Sequence, residues 1–175
     1  MKKALYILLA ALGTFLVVFC IAGVVSATEH KGSKTEIVNA PADSVWNLIN
    51  DVQRYSSIRH EVKRIEMLEP NKAGLPVWYE HTGIAGKILL EITGRTPMQT
   101  VDVRMVKSDF GMEGMWRFEL EPRGNKTKVT IHEHSFTHGF IMRSMLSLVG
   151  RNGNLMLQMR AIKKGISGKA GNNLL

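Results

Sequence analysis

At 175 residues, 45% hydrophobic and 22% charged, the chain has enough apolar material for one folded domain and too much for a disordered segment. Its 23 basic and 15 acidic residues give a net charge of +8. The basic residues are spread out, without the clusters or interleaved aromatics of nucleic-acid surfaces, so no nucleic-acid partner is expected and an anionic membrane surface suits the charge better.

Lys2 and Lys3 precede an uncharged apolar run over residues 4–27. It exceeds the roughly 20 residues a helix needs to cross the hydrocarbon layer, and predicts a single-pass membrane anchor over 1–27. The rival reading is a signal peptide cleaved after Val25-Ser26-Ala27, but apolar cores of that kind run to only about 7–15 residues. Positive charge at the N-terminus holds that end in the cytoplasm and puts the domain on the extracytoplasmic side, with Lys31 and Lys34 reducing the asymmetry. Cys20, the one cysteine, lies in the apolar run and excludes an intrachain disulfide. Residues 28–34, polar with Gly32 and Ser33, read as a short tether.

The domain proper is expected over 35–166. A short strand over 35–39 leads to Pro41, whose fixed φ suits a first helical turn, and Asp43 sits at the helix's positive end. Val45, Leu48, Ile49 and Val52 then share one helix face, while Trp46 points to a second surface. A turn at Ser56-Ser57 precedes strands over 62–68, 75–82, 87–93 and 100–106, the middle pair forming a hairpin around 83–86. In the strand over 112–120, Gly114, Trp116, Phe118 and Leu120 alternate with Glu113, Met115, Arg117 and Glu119, the pattern of a sheet with one buried face. A last strand runs to about Phe136. About seven strands, the last six in a run uninterrupted by helix, argue for an α+β fold and against alternating βαβ units. A long helix follows over 140–166, with Gly150 and Gly153 marking a bend, and 167–175 is expected to fray.

Ala40-Pro41, Val45-Trp46, Asp51 and Tyr55 resemble the opening of the START-like superfamily, also called SRPBCC, polyketide cyclase/dehydrase-like or Bet v 1-like proteins. Ile58 and His60 stand where that family commonly has tryptophan and proline. The resemblance covers about residues 33–166. It implies a helix-grip fold, in which a curved seven-stranded antiparallel sheet wraps a long C-terminal helix with a cavity between them. It also implies a hydrophobic small molecule or lipid as ligand.

On this reading Trp78, Tyr79, Trp116 and Phe118 supply rigid cavity walls, and Met142, Met145, Leu148 and Met159 a deformable one. Trp116 and Phe118 are expected to face Met145, Leu148 and Met159 across the cavity. His132 and His134 share a strand face with Lys128 and Thr130, so they read as surface histidines and no metal site is expected. Glu133 falls on the opposite, apolar face. The favoured reading has the strand bending to expose it or pairing it with an arginine; the alternative is a buried acid–base group. The chain has no phosphate-cradling glycine motif, nucleophile elbow or zinc signature, and no cofactor is expected. Three functions remain open: a membrane-anchored binder of a hydrophobic molecule or lipid, a cyclase/dehydrase-type enzyme using a pocket carboxylate, and a protein-interaction module with a filled cavity.

Overall fold

The computed structural model describes residues 2–54, 58–83 and 86–172. Tyr55, the turn at Ser56-Ser57, the Ile84-Ala85 part of the hairpin loop and the last three residues lie outside them. Helix α1 (Lys2–Val25) is followed by β1 (Glu29–Val38), α2 (Ala42–Asn50) and a 3₁₀ turn (Val52–Arg54). Six strands come next: β2 (Val62–Met67), β3 (Val77–Thr82), β4 (Lys87–Thr96), β5 (Thr100–Ser108), β6 (Met112–Arg123) and β7 (Lys126–Thr137). Two helices close the chain, α3 (Phe140–Val149) and α4 (Gly153–Asn172).

The strands form one sheet in the order β1-β7-β6-β5-β4-β3-β2, every pair antiparallel. This is the helix-grip α+β architecture. Short turns make β2 to β7 a meander, and β1 closes beside β7, so both ends of the sheet have distinct neighbours. At one end lie the starts of β1, β2, β4 and β6 and the finishes of β3, β5 and β7, next to the last turn of α1. At the other lies α2, which packs on α4, β6 and β7.

Two boundaries differ from expectation. β1 begins at Glu29, so the residues read as a tether belong to the sheet. Its polar residues alternate without an apolar stripe, but β7 is long enough to pair with all of it, from Glu29 opposite Phe136 to Val38 opposite Thr127. The single C-terminal helix is two helices. Gly150, at φ 102°, sits in a backbone region costly to any residue with a Cβ and ends α3 outright. α4 then runs on to Asn172, through part of the segment expected to fray.

The α2 end is solidly filled. Val45, Leu48, Ile49 and Val52 are all buried, as their spacing requires, against Ile92, Val101, Phe118, Leu120, Val129, Leu155 and Ile162. Trp46 is partly buried against the same core. α2 and α4 meet closely at Gly165, where a Cβ would come within 2.8 Å of a Leu48 methyl. The buried Thr127 hydroxyl is satisfied by donating to the Ala40 carbonyl at 2.7 Å.

Candidate functional site

The same inner sheet face encloses a cavity of about 550 Å³ at the α1 end, between β3–β7 and the α3–α4 hinge. Its apolar wall includes Trp78, Leu90, Met105, Trp116, Phe118 and Met142. Strand alternation sends the five strand residues among these inward, and Met142 comes from α3. The space stays open because α3 turns off at Gly150 instead of continuing along the sheet.

Two polar groups interrupt the wall. In the first, Arg59 donates from Nη1 to Glu80 Oε1 at 3.1 Å and from Nε to Glu61 Oε1 at 2.8 Å. Glu80 is only 2% exposed, and burial pushes its carboxyl above the ordinary range even though the Arg59 charge and the Trp78 indole N–H oppose this. Burial also acts on Glu61, but the Arg59 hydrogen bond, Glu61's own backbone N–H and the Arg59 charge together leave it below the ordinary range. One arginine therefore joins two carboxyls whose environments push them apart. In the second group, Glu133 is buried, accepting from Ser135 Oγ at 2.8 Å and from Asn154 Nδ2 at 3.2 Å, with Gln158 also in the wall. Trp116 lies directly opposite Glu133 on β6. The Trp116 indole N–H and the Nε2 of His30, both on residues that line the cavity, are buried without a hydrogen-bond partner among the described residues.

Four of the eight residues expected in the wall are there: Trp78, Trp116, Phe118 and Met142. Tyr79 is not, because alternation from Trp78 turns it to the outer face, where the Lys87 ammonium lies 3.7 Å from its ring centre. Leu148 is exposed on α3, Met145 is half-buried outside the wall, and Met159 is buried in the filled core with Leu155 and Ile162. All three were placed by assuming one continuous helix face across Gly150. Glu133 neither leaves the sheet nor meets an arginine in the hydrogen bonds described, because β7 stays paired on both sides to its end. Glu80 was missed although the alternation that flags Glu133 also places it inside, two residues after Trp78. Arg59 and Glu61 lie in an irregular connection with no period to read.

His132 and His134 lie on the outer face and meet different carboxylates, Glu119 at 3.2 Å and Glu29 at 2.8 Å. Among the described residues no three His, Cys, Asp or Glu side chains are grouped to hold a metal ion.

A curved antiparallel sheet gripping a C-terminal helix around a cavity defines a helix-grip protein. A family model described as polyketide cyclase/dehydrase and lipid transport matches residues 38–158, and the chain belongs to that family. No curated protein sequence is significantly similar to it. Among solved structures, the Zhui aromatase/cyclase from Streptomyces sp. R1128 superimposes with a TM-score of 0.68 at 17% identity, over 84% of this chain and 96% of that one. A START superfamily protein from Mycobacterium smegmatis gives 0.64 at 17% identity, over 77% and 94%. Norcoclaurine synthase from Thalictrum flavum, in complex with dopamine and hydroxybenzaldehyde, gives 0.60 at 14% identity, over 85% and 91%. At these identities the likeness is one of fold.

Proposed function

We propose that the protein is a membrane-anchored binder of a hydrophobic small molecule or lipid, held between the sheet and the α3–α4 pair. The observation that carries this reading is the contrast between the filled α2 end and the hollow of about 550 Å³ at the α1 end, a size usual for ligand sites. Its wall offers aromatic and methionine surface with a few polar groups to orient an amphipathic molecule. The anchor is α1, long and apolar enough to span and exposed along nearly its whole length. Its Lys2 and Lys3 favour a cytoplasmic N-terminus and an extracytoplasmic domain. Alkaline phosphatase fused at the C-terminus is expected to be active, and a fluorescent-protein fusion that glows while the phosphatase stays inactive would reverse the orientation.

Ligand binding is tested with an anthroyloxy-labelled fatty acid and full-length protein in nanodiscs, using energy transfer from Trp78 and Trp116. Saturable transfer that Met105→Trp weakens by narrowing the hollow is expected. Transfer that is unsaturable, or unchanged in that variant, would overturn the reading. A hollow of this size speaks against the filled interaction module.

The Glu61–Arg59–Glu80 cluster favours a second reading, an acid–base enzyme, because two carboxyls pushed in opposite directions suit a donor and an acceptor of protons. Under that reading, molecules recovered from wild type and Glu80→Gln differ in mass by a reaction step. Identical molecules would leave the cavity a binding site.

A further inference from the structure

We propose that the α1 end of the domain rests on the bilayer that α1 crosses, with α3 lying in the membrane interface as a second, shallow contact and the cavity taking its ligand from the lipid. This rests on α1 being a membrane span, and it names the source of the ligand.

Helix α3 has three faces. Met142 and Leu146 line the cavity. Phe140 and Ser144 meet α1 at Gly23, so closely that a Cβ there would lie 2.2 Å from Ser144 Oγ and 2.7 Å from the Phe140 ring. Such a small-residue approach is how helices pack within membranes. The remaining face carries Ile141 and Leu148, 60% and 49% exposed, seven residues apart and so on one side of the helix. Among the described residues nothing covers it.

What covers that face follows from α1. At about 1.5 Å per residue α1 is ~36 Å long against a hydrocarbon layer of ~30 Å, so its last turn, which holds Gly23, emerges at the interface and carries α3 there. A second clamp fixes the hinge, where Arg151 donates to the backbone carbonyls of Glu29, at 2.9 Å, and Ala27. Only Ser26, Ala27 and Thr28 separate α1 from the sheet, so the domain has little freedom to stand away from the lipid. Phe110, 37% exposed in the β5–β6 turn, adds a further apolar tip at this end. Its carbonyl packs against Gly139, at the start of α3. At this end Lys31, Lys63, Lys87, Lys107, Arg143 and Arg151 outnumber Glu29, Asp109 and Glu113, which favours an anionic surface, but charge does not set the depth of the contact. The apolar tips do. Because Met142 and Leu146 stand on the same short helix, the interface contact and the cavity wall are one element.

The test uses full-length Cys20→Ser protein in nanodiscs of phosphatidylcholine with brominated acyl chains, labelled with bimane at one introduced cysteine. Ile141→Cys, Leu148→Cys and Phe110→Cys report on the proposed contact. Leu12→Cys is the positive control inside α1, and Met98→Cys is the negative control, in the β4–β5 turn at the opposite end of the sheet. Quenching is expected to be strongest at 12 and several-fold greater at 141, 148 and 110 than at 98. Strong quenching at 12 with 141 and 148 no more quenched than 98 would overturn the contact and leave the anchor standing. Absence of quenching at 12 would overturn both.

Discussion

The two ends of the sheet are built from the same strands and nearly the same kinds of side chain, yet one is filled and the other hollow. At the α2 end, α2 and α4 press Val45, Leu48, Leu155 and Ile162 onto the strands, and the buried Thr127 is satisfied within the protein. At the α1 end the covering helix breaks at Gly150, and the space beneath holds Glu80, Glu133 and an unpartnered indole N–H. Natural cores rarely leave a buried N–H unpartnered. The difference teaches that the apolar faces of the strands do not determine whether space is filled; the path of the covering helix does.

The sharpest way to break this comparison is to truncate one residue at each end. Leu155→Ala, in the filled core and away from the cavity wall, is expected to cost about 2–5 kcal/mol. Met105→Ala, in the cavity wall, should fall below the roughly 2 kcal/mol floor of core methionine truncations, because it has fewer packed neighbours to lose. Urea unfolding followed by tryptophan fluorescence in detergent measures both. Equal costs would mean that the hollow end is packed as tightly as the other.

Gly165→Ala probes the filled end from the opposite direction. Crowding Leu48 costs about 1–3 kcal/mol, partly offset by about 1 kcal/mol of helix propensity, so a modest net loss is expected. A stabilised variant would show slack between α2 and α4.

The smallest expected effect is a pH dependence confined to the hollow end. Burial raises the folded-state pKa of Glu80 above its ordinary value of 4.5, so its contribution to stability is fully present below pH 4.5 and is lost as pH rises through the folded value. Glu80→Gln is neutral throughout. Its melting temperature relative to wild type should therefore improve as pH rises across that window, and a gap that stays flat would contradict the assignment.

Much of the filled end was legible in the sequence. The faces of α2, β5 and β6 follow directly from periods of 3.6 and 2, and the inward position of Glu133 follows from the same alternation. The hollow end was less legible because its features depend on tertiary choices. β1 starts early because β7 offers partners to an otherwise unpatterned polar stretch. Met145 and Leu148 were sent into the cavity by a helical period that continues across Gly150 although the helix does not. Arg59 and Glu61 carry no period, and only the fold brings them to Glu80.

The central claim is that the hollow end holds a hydrophobic molecule. Native mass spectrometry of the full-length protein released from nanodiscs tests it most directly, with Met105→Trp alongside. The expected result is one small apolar molecule bound per wild-type chain and a clearly smaller bound fraction in the variant. A wild-type spectrum with no adduct, or an adduct that Met105→Trp retains undiminished, would contradict it.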